Sequence, residues 1–418
     1  MDTIGSRIRQ LRKQQKYTLE ALAGNQLSKG MLSLIENGKA QPSMESLSYI
    51  AQRLGVESSE LMEDVSQTEK RNVLDQVEKL FRVDYNELSD EHKQIIELIQ
   101  PIVDKLSISY ESARLLDIYS RCGYHEKRED WETYYHQAMN LYEQLHLHNQ
   151  RASLALFKGM IQFTAREYGE ALNIVLQEQV TINSPLDAMT TLDYLYTESI
   201  LFSAVGDYEK ARIKMQEALS FSKERRIFYR MDDLYRLACF QAIINGNEED
   251  RIYYLSKVRQ YGEFAENKYS TAIADFMEAH YYNSYSHEYE KAIESLERFM
   301  KIGREMKLGE EVPEENNHYL FEKGKALYGL GQIENALALL KQYKVPKYLH
   351  HPYDLSMAYE VHTYLALCHD RLGDSEKALN ESKTAYDLII HLPETPYKKF
   401  IIKTYLTLSD KYSTNKKQ

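Results

Sequence analysis

The sequence has 418 residues, of which 43% are hydrophobic and 28% are charged, with only 8 prolines, 3 cysteines and 34 tyrosines. So few helix breakers argue against an all-β chain and favour long helices, while the length allows two or three domains or one array of repeats. No run of 18 apolar residues occurs and the first residues lack a signal-peptide layout, so we expect a cytoplasmic protein without a transmembrane helix.

The charge is unevenly distributed along the chain. The net charge is −11, yet residues 1–55 contain eight basic and four acidic side chains, a local charge of +4. The remaining residues therefore carry −15. A basic head on an acidic body is the asymmetry expected when only the head contacts phosphates. The alternative is a helix whose basic face has no partner.

Residues 1–64 predict five short helices. They are a first helix with Ile4, Ile8 and Leu11 on one face, a second over Leu19–Ala23 capped by Thr18, a third over Lys29–Glu36 capped by Ser28, a fourth opened by Pro42 and Ser43, and a fifth over Glu57–Met62. Two short helices joined by a tight turn, inside a basic bundle of five, are typical of a helix-turn-helix module.

The head also resembles the XRE/Cro/C1-type helix-turn-helix domains. The matching strings are Ile8-Arg9-Gln10-Leu11-Arg12, Thr18-Leu19-Glu20-Ala21-Leu22-Ala23, Ser33-Leu34-Ile35-Glu36-Asn37-Gly38-Lys39, Pro42-Ser43, Ile50-Ala51 and Leu54-Gly55-Val56. The resemblance implies that the third helix enters the major groove of double-stranded DNA. It further implies a structural ion pair between Arg12 and Glu36.

Family positions indicate which residues contact DNA. The resemblance places Lys29, Gly30, Ser33 and Leu34 at base edges, and Asn37, Lys39 and Ser43 at phosphates. Lys29 is suited to guanine O6 and N7, and Leu34 to a thymine methyl. Leu19 departs from the family, which often has Gln there. A single reading helix gives little specificity, so we expect a homodimer or higher homo-oligomer on an inverted-repeat operator.

Residues 65–72 are polar and unpatterned, and we interpret them as a linker between a head of residues 1–64 and a body of residues 73–418. The body contains a recurring string, of which Gly206-Asp207-Tyr208-Glu209-Lys210-Ala211 is the clearest copy. Its equivalent anchor positions are Trp131, Tyr168, Tyr208, Glu248, Tyr289, Ile333 and Ser375, at steps of 37, 40, 40, 41, 44 and 42 residues.

The flanks of these anchors repeat as well. Nine residues before them lie Cys122, Gly159, Ser199, Cys239, His280, Gly324 and Ala366, six of which are small. This pattern resembles tetratricopeptide repeats with lengthened helices. The predicted fold is therefore all-α: a five-helix helix-turn-helix domain followed by a tetratricopeptide-repeat right-handed superhelix of seven helix pairs, with a concave ligand-binding face.

Signals of catalysis or of metal binding are weak. The sequence contains no P-loop, dinucleotide-binding turn, GxSxG or HExxH motif, and its histidines lack a third ligand at recognisable spacing. We expect no enzymatic activity, no cofactor and no metal site. The three cysteines are far apart and are interpreted as buried small hydrophobes.

The combination of head and body resembles the RRNPP-type peptide-responsive regulators of Gram-positive bacteria, and its length and repeat number are closer to NprR than to PlcR. Membership implies transcription regulation by a short quorum-sensing peptide bound in the concave face. The repeat phase predicts the peptide-binding residues Arg236, Tyr281, Asn283, Tyr285, Lys325 and Asp370. The alternative for each of them is helix packing or a solvated surface.

Two other functions remain open. Related proteins of the Rap type act as response-regulator phosphatases or sequestering proteins through the helices before the repeats. Here that region would be 73–145, in which Gln94 or Gln100 would orient a water molecule. The third interpretation is a protein-docking scaffold whose acidic surface recruits a basic partner.

Overall fold

A computed structural model describes residues 4–62, 65–81, 90–182, 184–306 and 317–415. Within these ranges the chain forms α-helices and no β-strand. It divides into two compact units, Met1–Leu154 and Ala155–Gln418, with the division inside one helix, and each unit is described by itself. None of the described helices combines the length and the apolar character that crossing a membrane requires.

The first unit begins with five short helices. The helices are α1 (Ile4–Gln14), α2 (Leu19–Ala23), α3 (Lys29–Glu36), α4 (Met44–Leu54) and α5 (Ser58–Met62). The side chains of Thr18, Ser28 and Ser43 accept hydrogen bonds from the backbone N–H groups of Ala21, Met31 and Ser46. The N-caps predicted at Thr18 and Ser28 are therefore confirmed, and Ser43 caps the helix that it is predicted to open. Gly55 ends α4 in the left-handed conformation (φ 69°).

An apolar core holds these five helices together. Ile8, Leu32, Ile50 and Leu61 are fully buried, and Ile4 and Leu11 pack against them. The predicted apolar face of α1 is therefore confirmed. Burial of one such side chain contributes about 1.5–3 kcal/mol. The apolar cluster therefore makes a large contribution to the stability of the five-helix bundle.

The segment predicted to be a linker, residues 65–72, is helical from its third residue onwards. Ser66 caps α6 (Gln67–Leu80), and the apolar Leu74 and Val77 of that helix are buried. The domain limits 1–64 and 73–418 stay predictions. The rest of the first unit contains α7 (Asp90–Ile99), a 3₁₀ turn (Val103–Lys105), α8 (Tyr110–His125) and α9 (Trp131–Gln144).

Within the described residues, the remaining thirteen helices form six pairs, as the repeats predicted, followed by a single last helix. They are α10 (His148–Thr164), α11 (Tyr168–Thr181), α12 (Ala188–Ala204), α13 (Tyr208–Arg225), α14 (Met231–Ile244), α15 (Glu248–Phe264), α16 (Lys268–Tyr281), α17 (Tyr289–Met306), α18 (Asn317–Gly329), α19 (Ile333–Leu340), α20 (Pro352–Arg371), α21 (Ser375–Ile389) and α22 (Pro396–Asn415). Each of the seven anchors is the first residue of the second helix of a pair, which confirms the phase of the repeat.

The small-residue position lies where the two helices of a pair approach most closely. A Cβ built on Gly324 would lie 2.5 Å from Leu340 Cδ2, and one on Gly159 would lie 2.8 Å from Val175 Cγ2. Ser199 Oγ instead donates to the carbonyl oxygen of Ala211 at 2.9 Å. Any larger side chain at these positions would separate the pair, so the size restriction follows from packing.

The cysteines occupy the same interior environment. Cys122, Cys239 and Cys368 are buried and unpaired, and burial raises the pKa of the Cys239 thiol to about 12. Their interpretation as buried small residues is confirmed.

The fifth pair departs from the rule at His280, which is fully buried although it is large. Directly after α16, residues Tyr282–Ser286 form one π-helical turn that ends at His287 in the left-handed conformation (φ 58°). A π turn adds a residue to the helical ladder and rotates everything after it relative to a regular helix. The side chains of this turn therefore do not follow the face of α16.

Candidate functional site

An ion pair fixes the third helix of the head against the first. Arg12 Nε and Nη2 donate to the two carboxylate oxygens of Glu36 at 2.6 and 2.8 Å. The hydrogen bond to Glu36 raises the pKa of Arg12, although partial burial opposes the shift. Bidentate pairs of this kind restrict geometry as well as charge, so α3 has a fixed orientation on α1. The ion pair implied by the family resemblance is confirmed.

The opposite face of α3 is open to solvent. Lys29, Gly30 and Leu34 are exposed, while Ser33 is half-buried. Lys29 Nζ lies 3.6 Å from Glu20 Oε2, and both side chains are largely solvated, so this pair holds Lys29 weakly. The structure thus brings the four predicted base-contacting residues onto one helix.

Met31 was not singled out from the sequence, yet its side chain is 45% exposed, close to the 44% of Leu34. Both residues lie in the same helix as the buried Leu32 and Ile35. An apolar side chain at such a solvated position loses burial energy in the free protein. The position of Met31 in the helical period, one residue before the buried Leu32, is the feature of the sequence that indicates its exposure.

The predicted phosphate-contacting residues differ in what they already bind. Asn37 Nδ2 donates to the carbonyl oxygen of Ser33 at 2.7 Å, and Ser43 Oγ accepts from Ser46 N at 3.1 Å. Lys39 is exposed, and within the described residues it makes no ion pair. Lys39 is therefore the one member of this set with an uncommitted charge.

A cavity of about 630 Å³ lies within the second unit. Its walls come from α10, α12, α13, α14, α16, α18, α20, the start of α22 and the segments that precede α20 and α22. Most lining side chains are apolar or aromatic, and Phe163, Tyr196, Phe240, Phe276 and Tyr353 are among them. A wall that is mostly apolar or aromatic is typical of ligand-binding sites, and this one also contains several charged side chains.

Two tyrosines connect distant repeats beside this cavity. Tyr168 OH donates to the carbonyl oxygen of His350 at 2.8 Å, and Tyr208 OH donates to that of Glu394 at 2.7 Å. The partners are separated by 182 and 186 residues in sequence. The second and third helix pairs therefore bind the segments that precede α20 and α22, and His350, Tyr208 and Glu394 all line the cavity.

Arg236 is the predicted peptide-binding residue that lines the cavity. It forms ion pairs with Asp233 and, at 3.6 Å, with Asp232. Arg212, also on the wall, pairs with Glu209 at 2.6 Å. Both guanidinium groups are thus neutralised by carboxylates in their own helices.

A second group of titratable residues lies on the wall formed by α18 and α20. Burial raises the pKa of Asp354, while the nearby His351 and His318 oppose this rise. Burial lowers the pKa of both histidines. All three residues line the cavity, and the sequence did not predict them as a site. An acidic residue such as Asp354 in the first turn of a helix is common and gives no signal of a binding site.

Asn283 and Lys325 do not line the cavity. Both are buried, and Asn283 Nδ2 donates to Glu322 Oε2 at 2.7 Å. Lys325 Nζ lies 3.4 Å from Glu322 Oε1, 3.3 Å from Glu360 Oε2 and 2.6 Å from Ser284 Oγ. Burial raises the pKa of Glu322, but the charges of Lys325 and His280, with the hydrogen bonds from His280 and Asn283, together lower that pKa to about 2.

The remaining three predicted residues also bind elsewhere. Tyr281 OH donates to Glu248 Oε2 at 3.0 Å, and Tyr285 OH donates to Tyr397 OH at 3.4 Å. Asp370 accepts hydrogen bonds from two side chains of α22, each at 2.6 Å. The six predicted residues therefore do not form one site.

The glutamines of the phosphatase alternative lie in and after α7. Gln94 is exposed on that helix, and the amide oxygen of Gln100 accepts a hydrogen bond from Tyr119 OH.

Residues 8–61 match the family model described as "Helix-turn-helix". No curated protein matches the chain. Among solved structures, PlcR of Bacillus thuringiensis with the peptide PapR7 and DNA is 18% identical, with 64% of this chain and 96% of that chain covered and a TM-score of 0.34.

Two further solved structures are similar. ComR of Streptococcus vestibularis with its cognate signalling peptide XIP is 20% identical, with 66% of this chain and 98% of that chain covered and a TM-score of 0.38. The SHP pheromone receptor Rgg2 of Streptococcus dysgalactiae is 16% identical, with 65% and 98% covered and a TM-score of 0.27. The sequence match and the five short helices agree on the first part of the chain: residues 8–61 belong to a helix-turn-helix domain.

Proposed function

We propose that the protein is a cytoplasmic DNA-binding transcriptional regulator controlled by a short peptide that binds in the cavity of the second unit. The observation that carries the proposal is the solvated face of α3, held in place by the buried Arg12–Glu36 pair. A helix-turn-helix domain with such a face is built to insert that helix into a major groove.

The chemistry of α3 supports base reading. Lys29 supplies a donor for guanine O6 and N7, and Leu34 and Met31 supply apolar contacts for thymine methyls. Lys39 adds a positive charge for a phosphate. Because one such helix reads few base pairs, the proposal includes a homodimer on an inverted repeat.

The cavity supports a small ligand. Its volume, about 630 Å³, lies within the range of 300–1,000 Å³ usual for ligand sites. The tyrosine hydrogen bonds beside it join parts of the chain that a ligand could draw together or separate, which is how a ligand shifts a population. Of the six residues predicted from the repeat phase, Arg236 is kept in the proposed peptide site.

The DNA-binding part is tested by selecting sequences from a random duplex pool with the full chain. We expect an inverted repeat to be enriched. Lys29→Ala should lower affinity for it about 5- to 150-fold and relax one base position. Lys39→Ala should weaken binding to all DNA sequences by the same factor. It should also reduce the slope of log affinity against log salt concentration by about 1.

A matched control distinguishes base contacts by Lys29 from a general loss of positive charge. Lys79 is an exposed lysine of α6, outside the head, and Lys79→Ala should leave both affinity and specificity unchanged. Enrichment of no sequence, or equal losses for Lys29→Ala and Lys79→Ala, would refute base reading by α3. Sedimentation of the complex measures whether two chains bind one operator.

A further inference from the structure

Asp354 differs from the other carboxylates on the cavity wall. Glu209 is paired with Arg212, Asp233 with Arg236, and Glu394 with Lys398, whose Nζ lies 3.2 Å away. Within the described residues, the carboxylate of Asp354 makes neither a hydrogen bond nor an ion pair, although it lies on the same wall.

The surroundings of Asp354 replace that partner only in part, since His351 and His318 oppose the rise in the pKa of Asp354 that burial causes. The nearby His318 and His351 are held towards their neutral forms by burial. The ring of His318 lies 5.0 Å from that of Phe276, and Tyr353 follows His351 in the first turn of α20. The helix end favours a negative charge, and Asp354 is half-buried on a cavity wall that also contains aromatic side chains.

The missing partner has a definite chemistry. An uncompensated carboxylate beside aromatic faces is complementary to an ammonium or guanidinium group, since the carboxylate supplies charge and the rings supply cation–π attraction. The other charges on the wall are already paired, so a second strong charge on the ligand would find no free partner there.

We propose that Asp354 binds a positively charged group of the peptide, with apolar or aromatic residues beside that group. This assignment rests on the proposed function, because it concerns the same cavity. The group is either the amino terminus of the peptide or the side chain of a lysine or arginine.

The test uses the full chain and two heptapeptide pools, one with free amino termini and one acetylated. Retained peptides are separated by gel filtration and sequenced by mass spectrometry. We expect cationic peptides with aromatic or aliphatic neighbours to be enriched on the wild type. A preference for Lys or Arg in the acetylated pool identifies a side chain, and a loss of binding on acetylation identifies the amino terminus.

The variant Asp354→Asn keeps the shape and removes the charge. We expect it to lower the affinity for the enriched cationic peptide about 10-fold or more. The matched control is Asp387→Asn, because Asp387 is an exposed carboxylate of α21 that pairs with Lys383 outside the cavity. It should bind the peptide as the wild type does.

The outcomes separate this assignment from the broader function. Retention of peptides without a cationic preference, or an equal preference on Asp354→Asn, overturns the role of Asp354 but leaves a peptide receptor. Retention of no peptide by the wild type overturns the receptor function and the role of Asp354 with it.

A second readout needs no ligand. Because Asp354 makes neither a hydrogen bond nor an ion pair within the described residues, Asp354→Asn loses no such contact. It should therefore not lower Tm, and any rise should be at most about 2–4 °C. Asp233→Asn should lower Tm instead, because it leaves Arg236 with fewer partners. A fall in Tm for Asp354→Asn would show that the carboxylate is already satisfied and would overturn the assignment.

Discussion

Replacing Lys325 by Met would leave two carboxylates buried without their cation. The Lys325 side chain is fully buried, and Glu322 and Glu360 are 1% and 4% exposed. The Lys325 Nζ atom also donates to Ser284 Oγ in the π turn. Methionine matches the aliphatic length of lysine but supplies neither charge nor hydrogen bonds, so the substitution isolates the electrostatic contribution.

Two independent routes give the magnitude. Removing one partner of a buried ion pair typically costs about 3–5 kcal/mol. Alternatively, the folded variant can protonate one carboxyl group. From the ordinary glutamate pKa of 4.5, this costs about 3.4 kcal/mol at pH 7, since each pH unit contributes about 1.4 kcal/mol. We therefore expect Lys325→Met to lower the free energy of unfolding by about 3–5 kcal/mol at pH 7.

The pH dependence gives the sharper test. In the variant, the folded-state pKa of a carboxyl group rises above its unfolded value, so folding favours the protonated form. The stability loss is then largest where the unfolded carboxyl is ionised, and it shrinks as the pH falls towards 4.5. By the same slope, the cost of protonating one carboxyl group is only about 0.7 kcal/mol at pH 5.

The assay is hydrogen–deuterium exchange of α18 and α20 amides at several pH values, corrected for intrinsic rates, together with urea unfolding followed by circular dichroism. Lys383→Met, in an exposed pair with Asp387, serves as the control and should change neither measurement. The triple variant Lys325→Met/Glu322→Gln/Glu360→Gln should recover most of the loss. A loss that is the same at pH 5 and pH 7, or a triple variant as unstable as the single one, would refute the reasoning.

Two further predictions concern the repeats. Tyr168→Phe and Tyr208→Phe remove the hydrogen bonds to the segments before α20 and α22, so amide exchange in residues 348–351 and 394–395 should accelerate. Unchanged exchange would show that these bonds do not hold the segments. Arg166 and His287 have positive φ (68° and 58°) where other repeats have glycine. Arg166→Gly and His287→Gly should therefore each raise the free energy of unfolding by about 1 kcal/mol at most, whereas Gly373→Ala, at φ 81°, should lower it. Urea unfolding measures the direction of each change.

Local patterns predicted the elements well, because they depend on residues that are neighbours in sequence. Thr18 and Ser28 cap the helices that follow them, and the anchor Tyr208 begins α13 as its repeat phase requires. Caps, turns and the helix period act within a few residues, so a single sequence contains all the necessary information.

The cavity depends instead on contacts over long distances in sequence. Nothing in the repeat phase links Tyr168 to the carbonyl of His350, 182 residues away. The phase also assumed a regular helix through Asn283 and Tyr285, whereas the π turn rotates both away from the predicted face. An inserted residue of this kind changes the direction of a side chain without changing the hydrophobic pattern that the sequence displays.

The charged network and the cavity share two helices. Helix α16 contributes Phe276 to the cavity wall and His280 to the network, where His280 Nδ1 lies 2.8 Å from Glu322 Oε1. Helix α20 likewise contributes Asp354 to the wall and Glu360 to the network. Because buried charged groups tolerate few arrangements, the network fixes the register of these helices, and with it the distance from Asp354 to the aromatic wall. A Lys325 variant that remains folded at low pH should consequently bind the cationic peptide more weakly than Asp387→Asn does, although Lys325 itself lies off the cavity wall.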